Sequence, residues 1–352
     1  MSINRVVVDD NIFMKTKVSA AGSKYLFDFV PPVNAAVIDK LINSGVNEII
    51  QSGSNEFGIS LTESFGCVSS LAEGEAHVGI GCDVNGAIRK QASQAGVCFI
   101  KPTYGMVSRY GLVSTAPSME QIGVACSDID EGFKTLSIIS GFDERDGTLA
   151  GKEKYDFKPP ESEGLQDIKI AVPDMCKDGL REMAERLKAL GARVESVDFS
   201  CLKYVPGVYH IIASAEICNS LSRFDGLKFG HRAEKCANLE DIYIKSRTES
   251  FTLETKLMIL MGIHVLAKEN FEGLYQKSMK LRREIKNSSD EIFESYDAVM
   301  TPADDLKYLA LPNLIGTPAV SIPGNAQFLA KETGEDALYR IGRRLMKGGD
   351  GR

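Results

Sequence analysis

The residues best placed for chemistry stand at the end of a short β-branched run. Arg5 to Val8 reads as a strand that stops abruptly at the polar triplet Asp9-Asp10-Asn11. Such a strand end is where α/β proteins place reacting groups. A second stretch, Gly53 to Gly86, is dominated by glycine and serine. A segment of that kind either winds closely round a ligand or lets backbones pack tightly, and tight packing is the expected reading. The eight cysteines, Cys67, Cys82, Cys98, Cys126, Cys176, Cys201, Cys218 and Cys236, show neither a C-x-x-C pair nor metal-finger spacing. They read as reduced, mostly buried thiols, with no metal and no cofactor implied.

The elements that must position these groups alternate between strand and helix. A helix is expected over Asn34 to Ser44, where Val37, Ile38, Leu41 and Ile42 recur at helical spacing behind Pro31-Pro32. Strands are expected at Glu48 to Gln51 and Val97 to Ile100, and a helix over Asp130 to Ser140. Ile168 to Val172, Gly179 to Leu190 and Val194 to Phe199 read as strand, helix and strand, one βαβ-like unit. From Tyr204 to Ile292 the pattern is mostly helical, with Leu257, Leu260, Met261 and Val265 expected in the core. Ala298 to Thr301 reads as a last open strand, and Thr317 to Pro323 as a buried strand between prolines. No repeat or low-complexity segment interrupts the pattern.

Composition bounds the partners. The chain of 352 residues is 43% hydrophobic, 25% charged and 8% aromatic, with a net charge of −7. It is an ordinary globular composition with room for one large core. A negative molecule repels polyanions unless a local basic face exists, and the densest basic stretch, Lys277 to Lys286, reads as the solvated side of a helix. Direct nucleic-acid binding is therefore not expected. The sequence shows no apolar run of signal-peptide or membrane-spanning length, so the expectation is a cytoplasmic protein.

Four stretches resemble the amidase signature hydrolases, and within them the A subunit of the glutamyl-tRNA(Gln)/aspartyl-tRNA(Asn) amidotransferase. They are VDDNI at Val8 to Ile12, DFVPP at Asp28 to Pro32, GCDVNGAIR at Gly81 to Arg89 running into KPTYGMVSRYGL at Lys101 to Leu112, and RFDGLKFGHR at Arg223 to Arg232. The resemblance continues through Ser246 to Phe251, Tyr275 to Lys286 and TPAVSIP at Thr317 to Pro323. It implies an α/β fold with a mixed, largely parallel sheet flanked by helices on both faces, as one domain over residues 1–346 before a disordered tail at 347–352. It also implies an ancestral hydrolysis of glutamine whose ammonia a B subunit uses. There a serine attacks the amide, a second serine relays its proton, a lysine acts as base, and backbone N–H groups before the nucleophile form the oxyanion hole.

Set on this chain, the resemblance puts unsuitable residues at all three catalytic positions. The lysine position is Asp9 and the nucleophile position is Ala87. An ungapped count of 24 residues back from Ala87, supported by Gly66, Gly74 and Gly81, puts the relay serine at Glu63. The oxyanion-hole equivalents are Val84, Asn85 and Gly86. Asp10, Asp83, Tyr209 and Arg223 are the remaining candidates for the pocket. Where the family carries an arginine for the glutamine carboxylate, the chain reads Lys256-Leu257-Met258. The acidic loop after Pro302 is shortened to Ala303 to Leu309, and the helical region that precedes the first strand in the family is missing.

Three readings follow. In the first, the chain is a non-catalytic amidase-like protein that binds a B-subunit-like or C-subunit-like chain, or a small molecule in the old pocket. In the second, a relocated nucleophile such as Cys82 sustains hydrolysis, with Cys67 as a further thiol and His77 as its local base. In the third, Asp9 and Glu63 face each other and recruit a cation or amine; the competing expectation is that they point to solvent or pair with Arg89 or Lys15.

Overall fold

The computed structural model describes residues 4–60, 62, 64–149, 154–158 and 164–347. Its ten strands are β1 (Arg5–Asp9), β2 (Glu48–Ser52), β3 (Val78–Asp83), β4 (Cys98–Lys101), β5 (Gln121–Cys126), β6 (Lys169–Pro173), β7 (Arg193–Val197), β8 (Ala298–Pro302), β9 (Ala319–Ile322) and β10 (Ala326–Ala330). They form one sheet in the order β2-β1-β3-β5-β4-β9-β10-β8-β6-β7. The sheet is mixed, as expected. Parallel pairing holds at its two ends (β2-β1-β3 and β8-β6-β7), and the pairs between are antiparallel.

The helices are α1 (Ala36–Asn43), α2 (Gly66–Ala72), α3 (Ala87–Gln94), α4 (Ile129–Ile139), α5 (Arg181–Ala189), α6 (Val205–Leu221), α7 (Leu239–Ser250), α8 (Leu253–Leu266), α9 (Lys268–Phe271), α10 (Lys277–Phe293), α11 (Leu306–Leu309), α12 (Leu311–Ile315) and α13 (Glu335–Lys347). Local chemistry sets several of their starts. Asp128 accepts the Asp130 and Glu131 N–H groups at the start of α4, and Thr252 accepts the Thr255 N–H at the start of α8.

The βαβ unit β6-α5-β7 forms as expected. Gly53 to Gly86, however, is more regular than its composition suggests. It holds α2 and the fully buried strand β3, and its glycines serve close packing: a Cβ on Gly66 would come within 2.4 Å of the Gly53 carbonyl oxygen. β5, β10 and α13 also lie where no element was expected. Lys347, assigned to a tail, belongs to α13 and pairs with Asp130; residues 348–352 lie outside the described residues.

Of the four residues expected in the core along α8, one is buried. Val265 is buried, but Leu257 and Leu260 are exposed and Met261 is partly so. α8 is apolar on every side, so periodicity could not tell its inner face from its outer one.

Candidate functional site

β1 and β3 run parallel as neighbours, so their carboxyl ends bring Asp9 next to Gly81, Cys82 and Asp83. Val6, Val7 and Val8 are fully buried β-branched residues that fix β1 in the sheet. Asp9 is consequently carried into the interior. Its Oδ1 accepts the Cys67 N–H at 2.8 Å and the Ser52 hydroxyl at 3.0 Å, and its Oδ2 accepts the Cys67 thiol at 3.3 Å. A Cβ on Gly81 would lie 2.9 Å from Oδ2, so only glycine leaves room for this carboxyl.

Burial pushes the Asp9 carboxyl up to about 7, against the opposing pull of the Cys67 and Ser52 hydrogen bonds. Asp9 is fully buried with Ser52 and Cys67 as its partners, so it pairs with neither Arg89 nor Lys15 and does not reach solvent. Glu63, its expected opposite number, lies outside the described residues. Among the described residues no cluster could hold a metal ion.

The turn from β3 into α3 carries the other candidate positions. Gly86 adopts φ +88°, which a side chain resists, and a Cβ there would come within 2.7 Å of Leu309. The Gly86 N–H is taken by Asp83 Oδ1 at 2.7 Å. The Ala87 N–H is taken by the side-chain oxygen of Asn85 at 2.9 Å. Asn85 Nδ2 in turn donates to the Ile59 carbonyl at 3.0 Å, and Asn85 also bonds the Tyr209 hydroxyl. The backbone donor of Gly86, one of the expected oxyanion-hole positions, and that of Ala87 are thus engaged by this chain's own side chains. Val84, Asn85, Ala87 and Tyr209 are all buried.

Asp83 and Arg89 form a fully buried ion pair. Arg89 also reaches Asn313 Oδ1 at 2.6 Å, the Gln327 side chain and the Leu309 carbonyl. Those contacts tie the turn to α11, α12 and β10, a structural use of both charges. Asp10 turns the other way and accepts the Ser54 N–H and hydroxyl at 2.9 and 2.7 Å. Arg223 is exposed, its Nε donating to the Ser220 carbonyl, and it does not join the pocket. Its neighbour Phe224 packs against Tyr25, Phe57 and Phe251 instead.

Cys82 is buried, and burial together with Glu120 and Asp83 raises its thiol well above the ordinary value. His77 is exposed at the opposite end of β3, five residues and roughly 16 Å of extended chain away. It cannot serve Cys82 as base in this arrangement. Of the two residues that stand where the resemblance puts arginines, Leu257 is exposed on α8 and Met258 is half-buried. Asn85, expected only as a backbone donor, acts here through its amide side chain, whose capacity to cap the next turn is the signal in the sequence.

This mixed sheet with a strand-turn-helix holding the nucleophile position defines the class, and sequence comparison agrees. The Amidase family profile matches residues 63–311, and the chain belongs to that family. More particularly, it is similar to the A subunit of glutamyl-tRNA(Gln) amidotransferase from Lactococcus lactis subsp. lactis, at 33% identity over 96% of this chain and 81% of that protein. The corresponding protein of Pediococcus pentosaceus is likewise 33% identical, over 96% and 81%. The crystal structure of the A subunit of glutamyl-tRNA(Gln) amidotransferase from Thermotoga maritima superposes with a TM-score of 0.79 at 26% identity, covering 99% of this chain and 83% of that one.

Proposed function

We propose that this chain is a non-catalytic member of the amidase family, kept as a binding or structural partner of a B-subunit-like or C-subunit-like chain in the cytoplasm. The observation that carries this reading is the turn at Ala87. The nucleophile position has no hydroxyl or thiol, and its N–H is held by Asn85 Oδ1. The buried Asp9 carboxyl supports it, because both its oxygens are taken by Ser52 and Cys67 and Ala87 offers no proton for it to accept. The names of its relatives, which are those of subunits, support a protein partner. No observation favours the Cys82 hydrolase or the cation-binding pocket over this reading.

Intact-mass measurement after incubation with an electrophilic glutamine analogue tests it. The expected result is an unchanged mass. A single adduct mapping to Cys82 or Cys67, formed faster than with denatured chain and suppressed by glutamine, would overturn the reading.

A further inference from the structure

α8 rests on α6 through Thr255, Ile259, Gly262 and Val265, and its opposite side is apolar as well. Leu253, Leu257, Leu260 and Ile263 are 72, 57, 61 and 56% exposed. At helical spacing Leu253, Leu257, Leu260 and His264 fall within about 60° of one another, a straight ridge running the whole length of the helix. A helix that is apolar on every side belongs in an interior, and a contiguous exposed apolar ridge marks an interface.

We infer that α8 is a self-association face: two copies of the chain pack ridge to ridge, antiparallel about a two-fold axis. Charge at the two ends of the helix selects that occupant. Glu254 stands in the first turn, while His264 stands in the last turn and Lys268 just beyond it. Neither Glu254 nor Lys268 makes an ion pair with another described residue. Lys256, two residues on from Glu254, is turned back to donate to the Thr248 carbonyl.

A two-fold axis reverses one helix against the other, which brings Glu254 of each copy to the cationic end of its mate and sets the leucines between. The helix dipoles then also run in opposite directions. The contact is one helix of 14 residues per copy. It therefore falls at the small end of specific interfaces, below about 1,200 Å², and the dimer is weak and concentration-dependent. The inference goes beyond the proposed function, and its test reads mass rather than chemistry, so either can fail without the other.

Sedimentation equilibrium on the purified chain, up to about 100 µM, tests the inference. Expected is a monomer-dimer equilibrium that Leu260→Glu weakens at least tenfold, with the circular dichroism melt unchanged because Leu260 already faces water. Glu254→Lys alone also weakens it, and Glu254→Lys with Lys268→Glu recovers it. Should Leu260→Glu misfold, Leu257→Glu gives the same reading. A wild-type chain that stays monomeric throughout, or a dimer that neither leucine substitution moves, overturns the inference.

Discussion

Asp9 occupies a site where burial outweighs three hydrogen bonds, and this has a consequence for stability. Its carboxyl holds a proton up to about pH 7 in the folded chain and releases it near the ordinary value of 3.8 once unfolded. The folded state binds that proton more tightly, so the stabilisation is complete below the ordinary value and is lost as pH rises through 7. Asp9→Asn removes the titration while keeping an acceptor for the Cys67 N–H. Its stability relative to wild type is expected to climb between about pH 4 and about pH 7, by up to about 4 kcal/mol, and to level off above that. A difference that stays flat with pH would contradict this account of Asp9. The sequence showed that Asp9 ends a strand and replaces a lysine. It did not show that the chain would bury the acid against Cys67, because that depends on β1, β2 and α2 meeting in three dimensions.

The turn from β3 to α3 and the pairing of α6 with α8 decide how much of the old architecture survives. Arg89 and Asp83 are both fully buried, and Arg89 joins three further groups across the molecule. Arg89→Met leaves a carboxylate buried without its charge partner, and a loss of about 3–5 kcal/mol is expected in denaturant unfolding. At the helix pair, a Cβ on Gly262 would stand 2.2 Å from the Ser214 carbonyl oxygen and 2.4 Å from Cys218 Cβ. Gly262→Ala therefore forces α8 away from α6, and a clear fall in melting temperature is expected even though alanine is the better helix former. An unchanged melt would mean the two helices part without cost.

Elements with strong periodicity were legible. α1, α4 and the βαβ unit fall within two residues of their expected ends. β3 was not, because its alternation of glycine with apolar residues looks like loop composition. The exposed side of α8 was illegible for the opposite reason, since apolar residues recur on both faces.

At the scale of the molecule, the likeness to amidotransferase A subunits extends over nearly the whole chain, and the proposed loss of chemistry rests on Asp9 and Ala87. Retained motifs now serve packing. Tyr104 and Arg109 of the KPTYG and SRYGL stretches brace the loop before β5 through Pro117 and Glu120, and Gly230 and His231 close against Tyr25. Selection for a scaffold that binds rather than reacts would leave this pattern. The most direct measurement is ammonia release from glutamine by the purified chain, alone and with Ala87→Ser. No rate above buffer is expected for either, because Asn85 still holds the N–H of residue 87 and Asp9 has both oxygens engaged by Ser52 and Cys67. A rate proportional to wild-type protein and abolished by Cys82→Ser would contradict it.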